Sequence, residues 1–186
     1  MIFWRVKNNK LYSIGEVDKL GFEVSEQTYI PDDYLKKQEF VVMRTTHGIG
    51  DWGIISAMPR LLKEKYPSCK VYVPSEKLLN NLFGDYSKMW SSWNNPFKNV
   101  NYVFDNNPYV DGFKDYIIGE VFHDHYRIYN NNDVDVPLVK QMLRFWQFDE
   151  CECDDSQPEL YWSDEEKQFG DEIIKEYTDG DFGCLL

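Results

Sequence analysis

An α/β fold built on a mainly parallel sheet with helices on both faces is predicted by two changes of hydrophobic period and one stop signal. Phe40 to Met43 is a short continuous apolar run, the pattern of a strand buried on both faces. Ile54, Ile55, Met58, Leu61 and Leu62 then recur at helical spacing, so the period passes from strand to helix across Thr45 to Gly53. Pro67 stops that helix, and Lys70-Val-Tyr-Val73 resumes as a second strand. The βαβ unit puts Asp51 at a glycine turn beyond the carboxyl end of its first strand, where open α/β sheets bind ligands.

The same alternation continues. Strands are expected at 40–44, 70–73, 100–104 and 115–122, and helices at 52–66, 75–84, 136–148 and 163–177. Ser163 and Glu166 have capping-box spacing at the start of the last helix. Residues 1–38 read as an appendage beginning with a hairpin: Ile2-Phe-Trp-Arg-Val6, a Lys-Asn-Asn turn, then Lys10-Leu-Tyr-Ser-Ile14. The aromatic-rich span from Tyr86 to Phe104 reads as a long loop entering a strand. Its Trp90, Trp93, Phe97 and Tyr102 are expected to cover the sheet edge, with stacking on a sugar face as the alternative.

The 186 residues carry a net charge of -12, and its distribution is uneven. Residues 149–186 hold 14 acidic and 2 basic residues, which accounts for the whole imbalance and leaves residues 1–148 neutral. Without a broad basic face, neither nucleic acid nor an anionic membrane is an expected partner beyond peripheral contact. Cys69, Cys151, Cys153 and Cys184 show no disulfide-framework density. No basic leader with an apolar stretch opens the chain, and no apolar run reaches the ~18 residues of a membrane span, so a cytoplasmic location is expected.

Several constellations bear on chemistry. Asp51 is placed to accept a proton as a general base, or else to cap the following helix. Gly48-Ile-Gly-Asp-Trp-Gly53 also spells a dinucleotide-binding fingerprint, with Glu76 near the position of a ribose-binding acid. Thr45-Thr-His47 separates those glycines from the strand more than usual, and Asp51 would bring negative charge toward a pyrophosphate. In the preferred reading Gly48 and Gly50 let backbone approach an acceptor sugar, with Thr46 and His47 as hydrogen-bonding groups. His123-Asp-His125 and Arg127 follow the 115–122 strand and are expected on the same rim. Alternating histidines can chelate, but no further ligands stand out. Asp133-Val-Asp135 and Asp179-Gly-Asp181 arise easily in an acidic chain, so neither metal nor cofactor is expected.

Val41-Val-Met-Arg44, Gly48-Ile-Gly-Asp51, Pro59-Arg-Leu-Leu-Lys-Glu-Lys-Tyr-Pro67 and Val71-Tyr-Val73 resemble the opening of glycosyltransferase family 9, the ADP-heptose:lipopolysaccharide heptosyltransferases. Asn107-Pro-Tyr-Val-Asp-Gly-Phe113, Val139-Lys-Gln-Met-Leu-Arg-Phe-Trp146, Pro158-Glu-Leu160 and Ser163-Asp-Glu-Glu166 follow in the same order. The resemblance implies a GT-B arrangement of two Rossmann-like domains: residues 39–180 as the acceptor-side domain and 181–186 as the start of a donor domain that the sequence does not contain. It implies an inverting, metal-independent transfer from a nucleotide-diphosphate sugar such as ADP-heptose to a glycan or glycolipid hydroxyl. Asp51 would be the base, and Thr46, His47, Gly48, Gly50, His123, His125 and Arg127 acceptor contacts. This half alone is expected to be inactive. A non-catalytic binding module, and a dinucleotide-binding domain, are the other readings.

Overall fold

The structure, a computed structural model, describes residues 3–7, 10–14, 35–44, 47–88, 95–117, 120–124 and 157–178. Its centre is a parallel three-stranded sheet of β3 (Glu39–Val41), β4 (Lys70–Pro74) and β5 (Gly112–Lys114), in chain order. Phe40 lies beside Val71, and Tyr72 beside Gly112. Consecutive Phe40, Val41, Val42 and Met43 are all buried, and because neighbours on a strand face opposite ways, both faces of this segment are covered. Each parallel connection carries helix, the usual form of the long crossover that parallel pairing requires. The molecule is therefore α/β.

The first connection is α1 (Ile49–Ile54) and α2 (Met58–Lys65), in place of the single helix expected over 52–66. Pro59 explains the division. A proline inside a helix lacks the N–H for residue 55 and clashes with its carbonyl, whereas in a first turn it is tolerated. The chain accordingly turns at 55–57 and restarts with Pro59 in the first turn of α2. Ser56, fully buried in that turn, donates to the Gly53 carbonyl at 2.6 Å and accepts from the Glu159 N–H at 2.7 Å, fastening the 157–163 segment to the break.

The second connection holds α3 (Glu76–Lys88) and a 3-10 turn over Val100–Phe104. A strand was expected at 100–104 from its β-branched and aromatic residues. The structure buries Val100, Val103 and Phe104 at helical intervals instead. Asn99, in the left-handed region at φ 64, turns the chain into it, and its N–H donates to Glu76 at 3.2 Å. Tertiary contacts have overridden local propensity.

Outside the parallel sheet, β1 (Phe3–Lys7) and β2 (Lys10–Ile14) pair antiparallel as a hairpin. β6 (Glu120–Asp124) adds to β1, giving the order β2-β1-β6. Of the strand expected at 115–122, residues 120–122 belong to β6 in the antiparallel sheet and residues 115–117 to no strand, while the third parallel strand, β5, comes before it. β6 runs close to β3, tying the hairpin to the rest of the molecule. The final element is α4 (Asp164–Thr178), opened by the expected capping box. Glu166 N–H donates to Ser163 Oγ at 3.1 Å, and Ser163 N–H to Glu166 Oε2 at 2.7 Å. The predicted helix at 136–148 lies outside the described residues.

Candidate functional site

Asp51 lies in the short α1, which the chain enters after leaving β3. Gly48 is the N-cap, in extended conformation, so Asp51 is the third helical residue and not the cap. Its N–H donates to the Gly48 carbonyl at 3.0 Å, and its carboxylate folds back over Gly48. A Cβ built on Gly48 would stand 3.1 Å from Asp51 Oδ2. The carboxylate is half-buried and has no hydrogen-bond or ion-pair partner among the described residues. A carboxylate in that condition is available to accept a proton from an incoming hydroxyl.

What fixes α1 is the next residue. Trp52 is 0% exposed and meets Phe104 edge to face, with ring centroids 6.2 Å apart. The indole therefore pins the helix carrying Asp51 to the 3-10 turn. His47, half-buried, packs edge-on to the fully buried Phe97 at 6.4 Å. Arg44, at the end of the extended run that continues β3, is 1% exposed. Fully buried arginines are rare, and nothing in the local pattern Val41-Val-Met-Arg44 announces this one.

Gly50 and Gly53 have open space where a side chain would be, for a Cβ at either position meets nothing within 4 Å. Neither glycine is required by internal packing. Glycine in a helix is less stable than alanine by roughly 0.5–1 kcal/mol, so a close approach from outside is one physical reason to keep it. Gly50→Ala is expected to raise unfolding stability by about 0.4–1 kcal/mol while weakening acceptor binding. A calorimetric melt beside an acceptor titration checks both, and unchanged binding would show that the space is unused.

The other expected site residues are less gathered. His123 falls within β6, opposite Trp4 in the antiparallel sheet, and not past the end of a strand of the parallel one. Thr46, His125 and Arg127 lie outside the described residues, as do Trp90, Trp93, Asp133, Asp135, Asp179 and Asp181. Among the described residues no group of three or more His, Cys, Asp or Glu could hold a metal ion, and no helix is long and apolar enough to cross a membrane. Burial pushes the Cys69 thiol up, which disfavours its thiolate.

Glu76 is engaged elsewhere. One carboxylate oxygen accepts from Asn95 Nδ2 and the other from the Asn99 N–H, while Asn80 bonds Asn95 at 2.6 Å. The carboxylate shapes the 95–99 turn, which weakens its reading as a ribose-binding acid.

The Asn107 to Phe113 motif also has structural employment. Asn107 accepts from the Tyr109 N–H at 2.9 Å, and Gly112 takes φ 151, which suits glycine. Asp111 accepts from Lys63 at 2.7 Å, from the Val71 N–H at 2.8 Å and from Lys70 at 3.0 Å. Burial alone would raise the Asp111 carboxyl, but these bonds outweigh it and hold it at about 2. Because folding lowers this pKa from 3.8, the unfolded chain takes up the proton first. The contribution is complete above about pH 4 and is lost as pH falls toward 2. Asp111→Asn is expected to cost about 1–2 kcal/mol, discounted for partial exposure, and to flatten the fall in melting temperature between those pH values. An unchanged acid slope would assign that loss to other carboxylates.

Comparison with family models, with curated proteins and with solved structures gave no match.

Proposed function

We propose that this chain is the acceptor-side half of a glycosyltransferase of heptosyltransferase type. In this reading it serves an inverting, metal-independent transfer from a nucleotide-diphosphate sugar such as ADP-heptose to a hydroxyl of a glycan or glycolipid. The observation that carries the reading is the Asp51 carboxylate, half-buried, unengaged among the described residues and set on a helix that follows a parallel strand. The chain-order sheet β3-β4-β5 agrees with one half of a doubly wound, Rossmann-like domain. The open space above Gly50 and Gly53 suits a sugar lying against backbone.

The chemistry follows from these positions. The acceptor hydroxyl approaches the carboxylate, which takes its proton as the oxygen attacks the anomeric carbon. The bond to the diphosphate breaks on the opposite side, and the pair of electrons leaves with the nucleotide. Groups that neutralise that diphosphate belong to the donor side, which this reading assigns to another domain. His47 is the nearest polar candidate in sequence for holding a second acceptor hydroxyl, with Thr46, His123, His125 and Arg127 kept as proposals. The test is sugar transfer with wild type and Asp51→Asn, in a protein that contains both halves, with and without chelator. Turnover insensitive to chelator and lost in the variant supports the proposal; sensitivity to chelator contradicts the metal-independent route.

A further inference from the structure

We infer that α4 is a docking helix for a protein segment with an apolar face bordered by lysine or arginine. The inference is independent of sugar transfer. A stripe of Phe169 and Ile173, one turn apart, stands 64% and 38% exposed, and Leu160 and Trp162 are exposed in the segment leading into the helix. Only Gly170 and Ile174 among residues 164–176 of the helix reach even half burial.

An isolated helix of about this length is marginal in water, and helices in proteins gain most of their stability from packing an apolar face. Residues 164–176, whose burial is described and of which almost none is buried, therefore present an apolar face with an unfilled contact among the described residues. The base of the helix is anchored, since Arg60 holds Glu159 at 2.6 Å and Asn106 donates to Glu166 at 3.1 Å. The rest projects.

Charge identifies the occupant. With 3.6 residues per turn, Glu165, Glu172 and Glu176 line one edge of the Phe169 and Ile173 stripe, Glu166 lies on the other edge bound into the capping box, and Lys167 and Lys175 fall on the opposite side. Lys167 there pairs with Asp164 at 3.4 Å. Glu165 suits the positive end of the helix dipole and Glu172 accepts from Gln168 at 2.9 Å, but the acidic edge as a whole does not serve the helix. Glu172 and Glu176 repel at i,i+4 spacing, and Glu176 stands near the negative end of the dipole. A second copy of α4 would set glutamates against glutamates. Cationic residues along that edge of the apolar stripe satisfy all three, the mode in which acidic apolar surfaces take basic amphipathic helices.

The test is fluorescence anisotropy of the full 186-residue chain with a labelled amphipathic peptide of leucine and lysine, at low and high salt. A leucine and glutamate peptide of the same pattern serves as control. Binding of the lysine peptide only is expected. Phe169→Ser with Ile173→Ser should weaken it about tenfold or more, since both apolar side chains lose their burial against the peptide. Glu165→Gln, Glu172→Gln and Glu176→Gln together should weaken it comparably and remove most of its salt dependence. These positions are exposed and glutamine is a good helix former, so the fold should survive, and circular dichroism confirms that. Equal affinity in all variants would overturn the inference by placing the peptide elsewhere on an acidic surface. So would a concentration-dependent dimer, in sedimentation, that the serine variant abolishes.

Discussion

Asp51→Asn is expected to lower sugar transfer by about 10²–10⁴-fold, the usual contribution of a positioned general base. The amide keeps the size of the carboxylate but cannot accept the hydroxyl proton, so the loss should fall on kcat with little change in acceptor KM. Stability should hardly move. Gly48 is the N-cap, and Asp51 makes no side-chain bond among the described residues, leaving only its attraction to the helix dipole, about 0.3–1 kcal/mol. A variant with normal turnover and a lowered melting temperature would reduce Asp51 to a helix-stabilising charge.

The second large effect belongs to Trp52→Ala. Truncating a fully buried tryptophan typically costs 3–5 kcal/mol, through lost burial and the cavity left behind. For a chain of this size that is roughly 6–20 °C in melting temperature. Trp52 also holds α1 against Phe104, so at temperatures where the variant is still folded its acceptor affinity should fall. Trp52→Phe keeps an aromatic edge and should recover most of both. A melt and an acceptor titration on the two variants separate packing from positioning. Equal affinity in the alanine variant at low temperature would show that the indole stabilises the fold without aiming Asp51.

The parallel unit was legible because its signals are local. Phe40 to Met43 reads as a buried strand, Lys70 to Val73 as the next, and Ser163 with Glu166 as a helix start, and each depends on residues within a few positions. Pro59 was equally visible, yet the apolar spacing across it argued for one helix where the structure has two. Val100 to Phe104 failed for another reason. Its composition favours a strand, and only the distant Glu76, by accepting from Asn99, helps set the turn that makes it helical.

At the candidate site, the passage from strand to helix was readable from glycines and period, but the helix begins at Ile49, so Asp51 lies within it and not in a turn before it. The burial of Arg44 and Trp52 was not readable, since both depend on what packs above them. His123 shows the limit of inferring a rim from strand ends. β6 pairs with β1 from the far end of the chain, and no pattern within residues 115–125 specifies that partner.

The proposed transfer requires an acceptor lying over Asp51 while the donor binds elsewhere. Backbone amide shifts of the 186-residue chain, titrated in parallel with a deacylated lipopolysaccharide-core oligosaccharide and with ADP-heptose, test this most directly. The oligosaccharide is expected to move the amides of Gly48, Gly50, Asp51 and Gly53, and ADP-heptose to leave them in place. Tight binding of ADP-heptose at those amides, with no response to the oligosaccharide, would contradict it.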